Sequence, residues 1–378
     1  MEIKKAGVYI HIPFCEKKCR YCDFNSVDDA FDKQTEYLYA LVKEIKLKNN
    51  LLKDYNIDTI FIGGGTPSFL FKGAIATILA ELKNNYNVLK DAEISLECNP
   101  NSVTSEKAFE WKSAGVTRVS VGLQTSSNKI LKILGRIHNK KQYINAMQIL
   151  KNAGLHNINT DLMIGLPSQK QSDIIRAINL AHSFESTHIS CYQLIVEDNT
   201  PFKRLVESGE IKLPKEEKVT DAYLFSVNYL RKLDYFQYEV SNFSLKGYEC
   251  KHNLNCWNLC EYIGFGAGAH SYINWQRFNN EKNLHTYIDK IKSKKSIIEN
   301  IENVENDWLD EYIMLALRTV KGMNIDTVNK KLNINFLQSR KTAIEKLQKE
   351  SLIKIEDNFL FATQEGFCVL NYVISHLI

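Results

Sequence analysis

One stretch near the start of the sequence guides the interpretation of the rest: Gly7-Val8-Tyr9-Ile10-His11-Ile12-Pro13-Phe14-Cys15-Glu16-Lys17-Lys18-Cys19-Arg20-Tyr21-Cys22. It joins a short apolar strand to three cysteines with the spacing C-x-x-x-C-x-x-C. Three thiolates on one short loop can each bind one iron of a 4Fe-4S cluster, which leaves the fourth iron without a protein ligand nearby. Zinc usually takes four ligands, so it fits this triple poorly. The loop therefore predicts a cluster held by Cys15, Cys19 and Cys22.

Length and composition describe a globular chain with more than one domain. The chain has 378 residues, of which 44% are hydrophobic and 24% charged. This mix excludes global disorder, a collagen-like repeat and a small disulfide scaffold. Nine cysteines in a chain with no recognisable export signal indicate reduced thiols, so we expect a cytoplasmic protein.

Charge and hydropathy narrow the class of partner. The 48 cationic side chains nearly balance the 44 anionic ones, and a net charge of +4 does not predict a nucleic-acid partner. No run reaches the roughly 18 apolar residues of a membrane span, and residues 1–5 do not resemble a signal peptide. Peripheral membrane contact and the oligomeric state stay open.

The first two thirds of the chain alternates between strand and helix patterns. Helices are predicted over 34–48 and 142–151, the second ending at Gly154. Such alternation favours a parallel sheet with right-handed crossovers, and six units predict a full or partial barrel. The strands are predicted over 7–12, 59–62, 93–97, 118–124, 159–164 and 188–194.

Polar groups follow or end these strands one after another. A cysteine loop follows the first strand and three glycines follow the second, and the later strands end with Glu97, Gln124, Asp161 and Gln193. Because barrel chemistry lies at the carboxyl ends of the strands, these groups predict one shared site.

The remainder of the chain has a different pattern. A helix over 216–233, a strand over 235–240 and a glycine-rich stretch over 262–270 precede a charged segment, 282–305, which we predict to be a linker. Helix patterns from 308–320 onward and a hairpin over 352–361 then predict a smaller, mostly helical domain of the winged-helix type. The predicted domains are a core over 1–235, an extension with the linker over 236–305, and a C-terminal domain over 306–378.

With Tyr21 before its last cysteine, the loop resembles that of the radical S-adenosylmethionine (SAM) superfamily, in which SAM chelates the fourth iron. The run Gly63-Gly64-Gly65-Thr66-Pro67-Ser68 resembles the loop that binds the SAM ammonium group. The resemblance implies a partial (β/α)6 radical SAM barrel.

Further motifs resemble the oxygen-independent coproporphyrinogen III oxidase group over nearly the whole chain. They are Tyr9 to Cys15, Gly63 to Ser68, Val121 to Gln124, Leu134 to His138 and Asp161 to Pro167. The resemblance implies a SAM pocket lined by Tyr9, Tyr21, Gly64, Gly65, Thr66, Glu97, Gln124, Arg136 and Asp161.

Two features resemble the heme chaperones of the HemW type more than the oxidases. The oxidases carry a further cysteine two residues past the third one, where this chain has Phe24. They also have an N-terminal extension, for which we expect no room here because the cysteine loop begins at residue 15.

A third feature is His252-Asn253-Leu254-Asn255-Cys256-Trp257, similar to the His-Asn-x-x-Tyr-Trp motif of the chaperones, which is linked to heme. Cys256 replaces the tyrosine. A neutral imidazole ligates heme iron well and a tryptophan packs on porphyrin faces, so His252 is the predicted heme ligand. A zinc site made by Cys250, His252, Cys256 and Cys260 is the alternative.

The leading hypothesis is therefore a chaperone that binds a 4Fe-4S cluster, SAM and heme, and that delivers heme to a recipient hemoprotein. The rival is an enzyme of porphyrin biosynthesis, an oxygen-independent coproporphyrinogen III oxidase. A radical SAM enzyme acting on RNA is a third alternative, which the small charge does not support. The sequence leaves open whether SAM is cleaved.

Overall fold

The computed structural model describes residues 4–378. Residues 1–3, which entered the expectation that there is no signal peptide, lie outside that part. Six parallel strands, hydrogen-bonded in chain order, form the middle of a large sheet and confirm the predicted alternation. They are β1 (Lys4–Ile12), β2 (Tyr55–Gly64), β3 (Asn87–Cys98), β4 (Arg118–Gln124), β5 (Ile158–Ile164) and β6 (His188–Gln193).

Helices follow these strands and cover the sheet with their apolar stripes. They are α1 (Gln34–Leu47), α2 (Ala74–Asn85), α3 (Ser105–Ala114), α4 (Asn128–Leu134), α5 (Lys140–Asn152) and α6 (Gln171–Ser183). A capping box explains where α5 begins, because Asn139 and Gln142 satisfy each other's backbone N–H groups. The helices predicted over 34–48 and 142–151 correspond to α1 and α5.

Later elements extend both edges of the sheet. They are α7 (Pro201–Glu207), α8 (Glu216–Arg231), β7 (Phe236–Gln237), β8 (Asn242–Ser244), α9 (Lys251–Trp257), β9 (Tyr262–Phe265), β10 (His270–Ile273), β11 (Gln276–Asn280), α10 (Leu284–Lys292) and β12 (Ile298–Asn303). β9 pairs in parallel with β1, and β8 pairs antiparallel with β6. The sheet keeps two free ends, so the barrel is partial, as the fold class predicted.

The predicted linker over 282–305 is wrong, because α10 and β12 lie within it. The apolar positions of α10 recur every three or four residues and are buried in the main core: Leu284, Tyr287, Ile288 and Ile291. Interspersed lysines and glutamates give the segment its charged composition and hide this helical period.

The C-terminal residues form a second hydrophobic core around a small antiparallel sheet, which confirms a smaller, mostly helical domain. Its elements are α11 (Trp308–Ala316), β13 (Met323–Asn324), α12 (Ile325–Leu332), α13 (Phe336–Ser339), α14 (Lys341–Lys349), β14 (Ile353–Glu356), β15 (Phe359–Ala362), α15 (Gln364–Cys368) and α16 (Leu370–Leu377). The exact domain bounds of the sequence analysis stay a prediction.

The strand predicted over 235–240 and the helix predicted over 308–320 are both shorter than expected, for one shared reason. The backbone after β7 bonds to the backbone after α11. Val240 N donates to Arg318 O at 2.8 Å, and Val320 N donates to Tyr238 O at 3.0 Å. This pairing ties the C-terminal domain to the sheet, and no local pattern encodes so distant a contact.

A buried ion pair fastens α1 to the extension. Glu44 and Lys48 lie one helical turn apart, 2.6 Å between Oε1 and Nζ, with side chains 1% and 8% exposed. The carboxylate also accepts hydrogen bonds from Gly266 N at 2.8 Å, Asn280 Nδ2 at 2.8 Å and the Tyr287 hydroxyl. Lys48 Nζ also donates to Asn280 Oδ1 at 2.9 Å, so both partners of the ion pair obtain hydrogen bonds from the extension.

We expect Glu44→Ala to destabilise the protein by about 3–5 kcal/mol, because it leaves the Lys48 ammonium buried without its counter-charge. Glu345→Ala removes an exposed carboxylate 3.8 Å from Lys341 and should change stability by less than about 0.5 kcal/mol. The measurement is urea-induced unfolding followed by tryptophan fluorescence. Equal midpoints for the two variants would contradict a structural role for this pair.

Candidate functional site

The carboxyl ends of β1 to β6 open onto one cavity of about 410 Å³. We call it the cysteine-loop cavity, since the loop from Cys15 to Cys22 forms one wall. Apart from Tyr9, every residue predicted for the cluster or for SAM lines it: Cys15, Cys19, Tyr21, Cys22, Gly64, Gly65, Thr66, Glu97, Gln124, Arg136 and Asp161. Chain segments nearly 150 positions apart are thereby brought together, as the strand ends suggested.

Hydrogen-bond donors already face the thiols of the cysteine loop. Cys22 N donates to Cys19 O at 3.2 Å, which closes a turn between these two cysteines. Thr66 Oγ1 lies 3.6 Å from Cys15 Sγ, and Arg136 Nη1 lies 3.4 Å from Cys19 Sγ. Burial raises the pKa of the Cys22 thiol to about 11 and also raises that of Cys15. A metal deprotonates such thiols on binding, so the three groups fit the iron–sulfur ligands that the spacing predicts.

The glycine run lets the second strand end lie against the cysteine loop. Gly64 has φ +112°, and a Cβ there would lie 2.7 Å from the ring of His11. A Cβ on Gly65 would lie 2.8 Å from Phe14 O and 3.1 Å from Cys15 Sγ. Glycine is therefore required for this close backbone approach.

Two partly buried carboxyl groups supply acceptors in the cavity. Glu97 accepts from Gly64 N at 3.1 Å, and burial, assisted by the charge of Asp161, raises the pKa of Glu97 to about 8. Burial also raises the pKa of Asp161, which accepts from Ser120 Oγ and Asn159 Nδ2, each at 2.7 Å. These groups suit hydroxyl and ammonium partners, which resemble the ribose and amino ends of SAM.

Arg136 makes more hydrogen bonds within the protein than the sequence suggested. Besides Cys19 Sγ, its guanidinium bonds to Gly122 O at 3.2 Å, to His138 Nδ1 at 3.3 Å and to Asn99 Oδ1. Sequence reasoning did not select Asn99. Its place directly after β3, two residues past Glu97, was the available signal.

Tyr9 lies in a second cavity, of about 660 Å³, which we call the histidine cavity. The hydroxyl of Tyr9 bonds to His11 Nδ1 at 3.0 Å, and its ring stacks on Phe61 with centroids 6.4 Å apart. The two cavities share four lining residues: Asp23, Phe24, Gly64 and Glu97. Tyr9 is thus placed beside the predicted SAM pocket rather than within it.

His252 lines the histidine cavity and is held from two sides. Its Nδ1 lies 3.0 Å from Thr59 Oγ1, and its ring stacks on Phe61 with centroids 5.3 Å apart. The close approach favours glycine at position 7, where a Cβ would lie 3.0 Å from Thr59 Oγ1 and 3.3 Å from the His252 ring. Burial lowers the pKa of His252 to about 4, so the imidazole is neutral near pH 7. Within residues 4–378, no group hydrogen-bonds to its Nε2.

Glu93, which sequence reasoning missed, fixes the start of α9 from inside the barrel. Its carboxylate accepts from Lys251 N at 3.1 Å, from His252 N at 3.2 Å and from Cys250 Sγ at 3.5 Å. A negative group at the first turn satisfies free N–H groups and favours the helix. Glu93 lies at a strand position far from any motif, so only the tertiary structure identifies it.

The other residues of the motif that begins at His252 do not all lie in the histidine cavity. Cys256 lines the histidine cavity, whereas the ring of Trp257 lies outside its lining, 6.0 Å from the guanidinium of Arg318. The structure therefore does not bring Trp257 into the lining that contains His252, and its contact with a porphyrin stays a prediction. The alternative zinc site is not supported either, because Cys250 is buried against Glu93 while Cys260 is exposed.

Comparisons with known proteins match this arrangement. The radical SAM superfamily model matches residues 9–181, and the HemN C-terminal domain matches residues 305–369. Heme chaperone HemW of Buchnera aphidicola is 35% identical and covers 98% of this chain and 97% of its own. Heme chaperone HemW of Bacillus subtilis is 34% identical, with 98% of each chain covered. Coproporphyrinogen III oxidase of Escherichia coli aligns with a TM-score of 0.86 and 19% identity, over 99% of this chain and 90% of that one, which shows the fold.

The two matched domains define a radical SAM protein with a C-terminal domain like that of HemN. The chain belongs to the HemW family, to whose members it is similar along nearly its whole length. Among the described residues, no helix is long and apolar enough to cross a bilayer.

Proposed function

We propose that this protein binds heme in the histidine cavity, with Nε2 of His252 as an iron ligand, and passes the heme to a recipient hemoprotein. One observation carries the proposal: a buried, neutral imidazole lines a cavity with its Nδ1 engaged and its Nε2 unbonded in the described part of the chain. If Nδ1–H donates to Thr59, the lone pair of Nε2 is free for a metal. The relatives are named heme chaperones, which supports the iron of heme as that metal.

The cysteine-loop cavity fits a resident 4Fe-4S cluster and SAM. Cys15, Cys19 and Cys22 would hold three irons, and a bound cluster would supply an open iron for SAM and a one-electron redox centre. Glu97 and Asp161 provide acceptors for SAM hydroxyl and ammonium groups. The wall shared by the two cavities supports a role for this cofactor set beside bound heme.

The rival function is oxidation of coproporphyrinogen III. Phe24 stands where those oxidases carry a further cysteine, and its side chain is 61% exposed at the rim of both cavities. An apolar, non-ligating group at this position favours the chaperone. The rival predicts protoporphyrinogen IX from coproporphyrinogen III under anoxic conditions, and product formation by the reconstituted protein would favour it.

Heme titration of anaerobically reconstituted protein tests the proposal directly. We expect one saturable site per chain, seen as a shifted Soret band. Delivery is tested by mixing heme-loaded protein with an apo-hemoprotein of the same cell and, separately, with serum albumin as a passive scavenger. Faster transfer to the hemoprotein is expected. Absence of a saturable site would overturn the proposal.

Thr59→Val should weaken heme binding by about 10- to 100-fold, because the isosteric change removes the partner that orients the His252 ring and sets its tautomer. Thr59→Ser keeps the hydroxyl and should retain most of the affinity, which makes it the matched control. Heme titration and the position of the Soret band measure both effects. An unchanged spectrum and affinity in the valine variant would show that Nδ1 needs no partner.

A further inference from the structure

The charges around the histidine cavity are unevenly placed. Its carboxyl groups, Asp23 and Glu97, lie on the wall shared with the cysteine-loop cavity. Lys282 is the one lysine or arginine among the described residues that line it, and His270 is the exposed histidine of the lining. Lys282 is exposed and makes no ion pair within 4.0 Å in the described part of the chain. The cation is therefore available to an anionic ligand.

A hydrogen bond to its backbone carbonyl holds Lys282 in the lining of the cavity. Asn25, three residues after Cys22, donates from Nδ2 to Ala267 O and to Lys282 O, each at 3.0 Å. The approach requires glycine at position 268, where φ is +76° and a Cβ would collide with the Asn25 amide. Asn25 O in turn accepts from His11 Nε2 at 2.7 Å. These bonds fix the backbone of Lys282 beside the cysteine loop.

His270 belongs to the same end of the cavity. It begins β10, whose partner strand β11 leads directly to Lys282. Backbone hydrogen bonds join the two segments, because Gly268 N donates to Glu281 O and Asn280 N donates to Ala269 O, each at 2.9 Å. In contrast, His252 is 5% exposed. The lining of the cavity thus combines a buried neutral imidazole with a solvent-exposed cation.

Heme has a matching asymmetry. Its iron lies at the centre of an apolar macrocycle, and its two propionate carboxylates leave from one edge. A carboxylate gains most from a cation that can donate hydrogen bonds, and it is costly to bury without one.

We propose that Lys282, with His270, forms the carboxylate-binding end of the histidine cavity, so that heme enters with its propionate edge at the mouth and its iron toward His252. The inference rests on the proposed function and adds an orientation and a ligand class, tetrapyrroles that carry carboxylates on one edge. Its test can fail while heme binding itself is retained.

The experiment compares heme with heme dimethyl ester, which lacks the two charges, in wild-type protein and in Lys282→Gln. Wild-type protein should bind the ester about tenfold more weakly than heme. In Lys282→Gln the affinity for heme should fall about tenfold while that for the ester stays, so the preference disappears. Lys295→Gln, at an exposed lysine outside the cavity lining, is the matched control and should keep the wild-type ratio.

The outcomes separate the two ideas. The same preference for heme over the ester in Lys282→Gln and in wild type would overturn the carboxylate-binding end, and so would the absence of any preference in wild type. Failure of both ligands to bind saturably would instead remove the proposed function. His270→Leu, measured in the same way, should lower the ratio by a smaller factor, because it removes only the single hydrogen bond that a neutral histidine can donate.

Discussion

Cys19→Ala is expected to reduce the iron and sulfide content of anaerobically reconstituted protein almost to background. With three protein ligands and one iron left to SAM, loss of one thiolate leaves two of the four irons without a protein ligand. The variant also removes the sulfur 3.4 Å from Arg136 Nη1. Iron and sulfide analysis and paramagnetic resonance of the reduced sample measure the effect.

Cys368→Ala is the matched control, because it removes a partly buried thiol from the C-terminal domain. It should keep the full iron and sulfide content. If Cys19→Ala retained as much of both as this control, the ligand assignment would be wrong. Far-ultraviolet circular dichroism of both variants separates loss of the cluster from loss of the fold.

His252→Gly should raise the dissociation constant for heme by about 100-fold or more, equivalent to roughly 2.8 kcal/mol. The change removes the imidazole that lines the cavity, while Thr59, Phe61 and Glu93 keep their places around it. The Soret band should move toward that of heme bound without a nitrogen ligand. Heme titration and absorption spectroscopy measure the two effects.

Free imidazole distinguishes a lost ligand from a damaged fold. It should restore the wild-type Soret band and part of the affinity in His252→Gly, because the vacated volume lies next to Gly7 and Thr59 and admits a small ring. His285→Ala, at an exposed histidine on α10, should behave as wild type throughout. Unchanged heme affinity in His252→Gly would place the ligand elsewhere, and Cys256 would be the next residue to replace.

The parts of the fold that were predictable follow local periodicity. β1 to β6 and the helices α1 and α5 lie where alternation and apolar stripes placed them. The helix and strand within 282–305 were not predicted, because the charged residues of this segment obscure the helical period of α10. The apolar face of α10 is recognised only from its packing on the main core. The ends of β7 and α11 were not predicted correctly, because they depend on backbone pairing between residues some 80 positions apart.

The candidate site divides in a similar way. The cysteine spacing, the polar strand ends and the family resemblance of the motifs together supplied the predicted lining of the cysteine-loop cavity, apart from Tyr9. The groups that orient His252 were not found, because Thr59 and Glu93 are ordinary strand residues whose role comes from their contacts with α9. Trp257 lies beside Arg318, a contact with a distant segment that the motif did not indicate.

By itself the sequence determined the ligand chemistry and the order of strands and helices, because thiol spacing and residue periodicity are properties of the local chain. The tertiary structure decided which of two cavities each side chain enters, which atom of His252 is left unbonded, and where a cation faces the solvent. Those properties depend on contacts between distant segments. The free energy of such contacts comes from burial and hydrogen bonding in three dimensions, which the residues of one segment do not contain.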